Sequence, residues 1–151
     1  MVFVLATLGC SIERVDTLSS AGGTIENQAV RVDVPEGALP GRTRMGLVNL
    51  GVPTDLYDLG ADQGELLTMA WAIEPVGLQL GAPVTVSLSV GDAADGATIW
   101  ADMGDQLVPL ETTLLDGIAS ADLDVLAPVF ATQSVIIVPT DPPTDPPTNP
   151  T

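Results

Sequence analysis

Carboxylates are the side chains of this sequence best placed to do chemistry. Asp55, Asp58, Asp62 and Glu65 fall in one short stretch; Asp92 stands near Asp95, Asp102 near Asp105, and Asp116 near Asp122 and Asp124. Calcium takes roughly six to eight oxygens, mostly carboxylates on flexible loops. Asp55, Asp58, Asp62 and Glu65 are therefore the candidate metal ligands, and calcium is the one cofactor these residues suggest. The Asp spacing of an EF-hand loop is absent, and solvated turn aspartates on an acidic surface account for the same residues. Two carboxylates held across a cleft also hydrolyse glycosides. Such clefts rely on aromatic platforms, and the aromatics here are Phe3, Tyr57, Trp71, Trp100 and Phe130. The chain has no histidine, which removes Ser-His-Asp triads, Cys-His dyads and His-ligated zinc together. A single cysteine excludes an internal disulfide or a thiolate cluster. The expectation is a protein that is not an enzyme, with no catalytic residue.

Charge narrows the partners. The 151 residues carry 20 Asp plus Glu against four Arg and no Lys, for a formal net charge of −16. So acidic a surface repels phosphate backbones, which excludes nucleic acid. Arg31, Arg42 and Arg44 supply cations to the folded part. Arg42 and Arg44 flank the turn after Pro40-Gly41 and are candidates for orienting a partner; pairing with the many carboxylates is their plainer role. Ile99 and Trp100 are consecutive on a short strand, so one of them faces outward, and Trp100 is the first aromatic candidate for a contact residue. Tyr57, among loop aspartates, is a second candidate and is expected at the surface. Trp71 alternates with apolar neighbours and is expected in the core.

The ends of the chain carry a different signal. Met1 to Cys10 reads MVFVLATLGC: a short apolar run, then Gly9, then the sole cysteine. This resembles the end of a bacterial lipoprotein signal, in which the cysteine receives lipid. Gly9 is the small residue expected before that cysteine, whereas Thr7 and Leu8 stand where the usual pattern has Leu and a small residue. The resemblance implies lipidation of Cys10, a signal peptide-like segment over 1–10, and a protein of the bacterial cell envelope, surface-exposed or periplasmic. Its membrane anchor is then Cys10 alone, since no run approaches the ~18–20 apolar residues of a spanning helix. Alternatively, 1–10 is an ordinary strand of a cytoplasmic protein, with Cys10 packed as a small hydrophobe. Residues 139–151, PTDPPTDPPTNPT, repeat a Pro-Thr-Asp/Asn-Pro unit. Proline fixes φ and lacks an amide donor, so this proline-rich tail is expected to be disordered, a linker or stalk extending ~3 Å per residue.

Between the ends, residues 11–138 must supply the fold. Their hydrophobic patterning has period two. Val84 to Val90 alternates without a fault, as does Val30 to Val34. Leu67, Met69, Trp71 and Ile73 fall on one face, with Thr68, Ala70 and Ala72 on the other. Further strands are expected at Met45–Leu50, Ala97–Ala101, Gln106–Leu110, Ile118–Leu123 and Ser134–Val138. Turn signals stand at Gly22-Gly23, Pro35-Glu36-Gly37, Pro40-Gly41, Gly91-Asp92, Asp95-Gly96 and Asp116-Gly117. Many short alternating strands with frequent turns predict an all-β, antiparallel β-sandwich of one domain. A chain of this length buries ~68–70% of its unfolded surface.

Two ordered motifs resemble the ZU-5 domain family, named for zonula occludens proteins and netrin receptors and found in ankyrins. Gly22-Gly23 precedes the strand Val30–Val34, which leads into Pro35-Glu36-Gly37-Ala38-Leu39-Pro40-Gly41. Later, Ile73-Glu74-Pro75-Val76-Gly77-Leu78 is followed by Ala82-Pro83-Val84-Thr85-Val86. Thr98–Trp100 and Leu107–Leu110 stand where that family has paired strands, so the resemblance covers residues 19–133. It implies a β-sandwich that acts in protein interaction. Some members cleave themselves at a His-Phe-Ser motif; the matching segment here, Leu126-Ala127-Pro128, holds neither the nucleophile nor the base that attack requires. The Pro-Glu-Gly-Ala segment also has a local reading. Pro35 ends its strand, Gly37 supplies a positive φ, and Ala38 and Leu39 tuck under the sheet. The functional expectation is a non-catalytic envelope lipoprotein domain, serving as an interaction or spacer module for another protein or envelope component. A calcium-dependent adhesive or carbohydrate-binding module and an intracellular scaffolding domain are the alternatives.

Overall fold

The computed structural model describes residues 11–60, 64–91 and 96–134. They form two antiparallel sheets packed face to face, the β-sandwich that the alternation predicts. The strands are β1 (Ser11–Leu18), β2 (Gly23–Glu26), β3 (Val30–Val34), β4 (Thr43–Gly51), β5 (Ala70–Glu74), β6 (Gln79–Ser89), β7 (Ala97–Asp102), β8 (Leu107–Leu110), β9 (Thr113–Leu115), β10 (Ile118–Val125) and β11 (Val129–Gln133). One sheet has the order β1-β4-β5-β11-β7-β8 and the other β2-β3-β6-β10-β9. A one-turn helix, α1 (Pro53–Leu56), follows β4.

Alternation decides which residues meet between the sheets. From the five-stranded sheet Ile25, Val30, Val32, Val84, Val86, Leu88 and Leu123 point inward; from the six-stranded sheet Met45, Leu47, Trp71, Ile73, Ile99 and Val129 meet them. The outward partners on β3, β6 and β10 are Arg31, Asp33, Thr85, Ser87, Ser120 and Asp122, which are exposed or half-buried. A one-residue slip in any of these strands would drive charges into the core, so the pattern pins the register. The turn between β9 and β10 has two residues, Asp116 (φ 51°) and Gly117 (φ 78°), with Leu115 paired to Ile118. Both positive φ values match the twist of a tight hairpin. The Pro35–Gly37 turn behaves as its residues demand: β3 stops at Val34, Gly37 takes φ +85°, and Ala38 and Leu39 are buried in the core. The two motif segments touch here. Gly81 N–H donates to the Ala38 carbonyl at 2.9 Å, and a Cβ on Gly81 would collide with the Gly37 carbonyl oxygen.

The structure corrects three expectations. The last described strand is Val129–Gln133, where none was expected; of the expected Ser134–Val138, Ser134 is outside any strand and 135–138 lie outside the described residues. Val129 to Ala131 and Thr132 are buried on both faces, so no alternation announces them. Strands β1, β2 and β9 carry no apolar alternation either, being short or edge strands with polar side chains. On β5, Trp71 and Ile73 do face the core, but Met69 is 44% exposed and Leu67 half-buried. Trp71 pairs with Val129 and Leu66 with Thr132, so five steps on one side face three on the other. That irregularity breaks the phase of the expected stripe.

The topology gives the sandwich two distinct ends. Ser11 pairs with Asn49 and Gly51 with Ala70, and β11 runs from Val129 to Gln133, which pairs with Ala97, so β1 runs away from and β11 runs toward the same near end. Leu18 pairs with Thr43 and Gly46 lies against Glu74 toward the far end, while Ser11, Asn49, Trp71, Val129 and Ala101 share one row across the sheet. The connections β1–β2, β3–β4, β5–β6 and β10–β11 cross between sheets at the far end.

Candidate functional site

The two outer faces of the sandwich differ in kind. Outside the six-stranded sheet, the segment after β4 folds back as a strap. Tyr57 stacks on Phe130 with ring centroids 5.4 Å apart and planes 19° from parallel. Its hydroxyl donates to Asp102 Oδ2 at 3.0 Å. The returning stretch pairs with β11: Leu67 N–H donates to the Ala131 carbonyl, Gln133 N–H to the Glu65 carbonyl, and Ala131 N–H to Thr68 Oγ1. Under the strap Phe130 and Thr132 are fully buried, and Thr132 Oγ1 accepts the indole N–H of Trp100 at 2.9 Å. Burial and the acceptor carboxylate of Asp102 push the Tyr57 phenol well above its usual range; both effects disfavour a phenolate.

The face of the five-stranded sheet is open and polar. Thr24 donates to Asp33 at 2.9 Å, Thr85 to Asp122 at 2.9 Å, and Ser87 and Ser120 share a bond of 2.9 Å. Arg31 Nε donates to both oxygens of Asp33 at 3.1 Å, and its Nη1 lies 3.7 Å from Glu26 Oε2. These are cross-strand and same-strand pairs of a solvated surface, each worth a few tenths of a kcal/mol to about 1. Between them run shallow depressions, one of about 440 Å³ lined by Thr85, Glu111, Thr113, Ser120 and Asp122. At the far end an apolar pit of about 310 Å³ lies between Val76, Gly77, Met103, Leu126 and Pro128, with Asp102 on its wall. Gly77 N–H to the Leu126 carbonyl (2.7 Å) and Asp102 N–H to the Pro128 carbonyl (2.9 Å) hold its sides.

Set against these surfaces, the candidate residues scatter. Tyr57 is not a free surface residue as expected: the Phe130 stack and the Asp102 bond hold it half-buried in the strap. Trp100 is half-buried on the outer face of β7, while Ile99 takes the core side. Arg42 and Arg44 are exposed at the far end, and neither joins an ion pair among the described residues. Arg31 pairs as expected, and a fourth cation, Arg14, pairs with Asp16 at 2.9 Å on β1. Asp55, Asp58 and Glu65 are exposed, and Asp62 lies outside the described residues. Among the described residues no three carboxylates come together as metal ligands. Cys10 and the tail 139–151 lie outside the described residues.

Sequence reasoning missed Phe130 and Thr132, the residues on which the strap closes. Their one signal was that Phe130 and Trp100 were two of five aromatics in the chain; cross-strand pairing of Phe130 with Trp100 explains why both are there. No family model matches the chain, and no curated protein matches it.

Proposed function

We propose that this chain is a ZU-5-like, non-catalytic domain of the bacterial cell envelope, anchored through an acylated Cys10 and displaying a surface to another protein or envelope component. The observation that carries this reading is where the sandwich begins and ends. From Ser11, next to Cys10, β1 runs away from the near end, and β11 runs back toward that end to Gln133, four residues beyond the row of Ser11. A domain entered and left at one end adds little length between an anchor at Cys10 and a stalk at 139–151. That favours display over spacing. The pit beside Val76 and Met103 and the exposed Arg42 and Arg44 then stand at the end away from the anchor, and the hydroxyl and carboxylate grid of the five-stranded sheet lies open along the side. Multiple acyl chains on one cysteine give firm anchoring, where a single chain holds weakly.

The test is the N-terminal mass of the full chain recovered from the membrane fraction of a bacterial host. A chain beginning at a diacylglyceryl-modified Cys10 is the expected result. A chain beginning at Met1 with a free thiol in the soluble fraction would overturn the anchoring and make intracellular scaffolding the leading account.

A further inference from the structure

The exposed large hydrophobic side chains are not spread evenly. Seven are described: Val52, Leu56, Met69, Val76, Met103, Leu115 and Ile118. Val76 and Met103 belong to the far-end pit. The other five gather toward the near end. Val52 and Met69 flank the Gly51–Ala70 pair where β4 and β5 finish, and Leu56 stands one helical turn on from Val52. Leu115 and Ile118 pair across the Asp116-Gly117 turn, and that turn packs on the near-end connection after β6, where a Cβ on Gly117 would come 3.0 Å from the Gly91 carbonyl oxygen. Leu115 is 70% exposed, the most of any. A water-facing domain gains nothing from a Leu so placed at a hairpin tip, where turn chemistry favours polar residues.

We propose that the near end of the sandwich is a membrane-docking surface, in which Val52, Leu56, Met69, Leu115 and Ile118 enter the interfacial layer of the bilayer that holds Cys10. This rests on the anchoring reading above. The argument for lipid as the occupant is positional: the described chain starts at this end, one residue from the acylated cysteine, so the bilayer is the apolar phase within reach. An acyl anchor raises the local concentration of the end beside it, and a few half-exposed apolar side chains then suffice to orient the domain. Asp55 beside Leu56 and Asp116 beside Leu115 are exposed, so the surface suits zwitterionic headgroups and is repelled by anionic ones. Docking would hold the sandwich upright, with the pit and Arg42 and Arg44 turned away from the lipid.

The single cysteine permits a direct test. The full chain is coupled through Cys10 to maleimide-phosphatidylethanolamine in phosphatidylcholine nanodiscs containing nitroxide-headgroup lipid, and methyl signals are followed by NMR. The expected result is strong broadening of Leu56, Met69 and Leu115 with Val76 and Met103 spared, weakened when phosphatidylglycerol replaces part of the lipid. In the variant L56S/M69S/L115S the ratio of docked to free-tumbling domain should fall by about tenfold for each side chain removed, and the contrast between the ends should vanish. These positions are exposed, so the variant keeps its fold, checked by its melting temperature. Equal broadening at both ends, or an unchanged profile in the variant, would overturn the proposal. So would self-association of the untethered chain that the variant abolishes, since a second copy would then cover the patch. Because the tether is chemical, an unmodified Cys10 in cells would sink the anchoring reading separately and leave this result to judge the surface.

Discussion

Tyr57 offers an unusually clean test of how the strap is held, because little else in this chain titrates in alkali. There is no Lys, no His, one Tyr and one Cys. Ordinary amino-terminal amines and thiols titrate below about pH 9.5 and guanidinium groups above about pH 12. Between about pH 9.5 and 11.5 the proton balance of folding therefore belongs to Tyr57. Desolvation, and then the hydrogen bond and charge of Asp102, raise its folded pKa above the unfolded value of ~10. The folded state keeps the proton that the unfolded state loses, so the stability from this contact is complete below pH ~10 and drains away as pH rises. One proton sets a ceiling of about 1.4 kcal/mol per pH unit; water at the rim of the half-buried ring lowers it, giving about 1 kcal/mol lost between pH 10 and 11.5. Tyr57→Phe keeps the stack on Phe130 and removes the donor to Asp102. At neutral pH it should cost about 1.5–2 kcal/mol, the low end of the range for a hydrogen bond to a charged group because the pair is half-buried. It should also make stability flat across the alkaline window. Tyr57→Ala loses the ring as well and should cost about 3 kcal/mol. Urea unfolding at a series of pH values, read by the fluorescence of buried Trp71, measures all three. If wild type and Tyr57→Phe lose stability in parallel above pH 10, or if wild type is flat, the Tyr57–Asp102 contact does not clasp the strap in solution.

Other expectations follow from single contacts. Gly81→Ala sets a methyl against the Gly37 carbonyl oxygen, and because that neighbour is backbone the loss should be about 2–3 kcal/mol, read as a fall in the urea midpoint. Thr132→Val leaves the Trp100 indole N–H without its acceptor at 2.9 Å and should cost about 1–2 kcal/mol, with a change in Trp100 fluorescence. Millimolar calcium should move the melting temperature by less than about 1 °C, since exposed Asp55, Asp58 and Glu65 do not converge among the described residues; a rise of several degrees would revive the calcium-dependent adhesive reading.

Where one face of a strand meets water, its residues announce it. Val30–Val34 and Val84–Ser89 were legible because the five-stranded sheet has a bare outer face, and the hairpin at Asp116-Gly117 because only a few residues tolerate two positive φ values. Where both faces are covered, the period disappears. Val129–Gln133 lies under the strap on one side and in the core on the other, so Val129 to Thr132 are all buried and no strand was expected there. The same cover hid Tyr57. A tyrosine among aspartates reads as a loop residue, and its stack on Phe130 joins positions 73 residues apart, which no local pattern encodes. The candidate surfaces were less legible still. Arg42 and Arg44 stood out by scarcity in an acidic chain, but the pit beside Val76 depends on three connections meeting at one end.

That meeting of connections links charge to orientation. Arg44 pairs with Thr17 near the far end, and Val76 stands in the connection that leaves β5 after Glu74, opposite Gly46. The two cations without an ion pair among the described residues thus lie at the end that also holds the apolar pit. Arg14 and Arg31, on β1 and β3, are instead spent on neighbouring carboxylates. On a surface with so large a negative charge, a cation left without a partner forgoes an available interaction, if only one of modest strength. Its use is then orientational: an approaching partner is repelled from most directions and least repelled along the axis through Arg42 and Arg44. On the anchoring proposed above, that axis points away from the membrane. The arrangement makes a distinction that charge reversal can read. Arg42→Glu with Arg44→Glu should slow association with an envelope partner in a salt-dependent way while leaving its dissociation rate and the melting temperature of the domain nearly unchanged. Narrowing the pit by Val76→Phe should instead raise the dissociation rate.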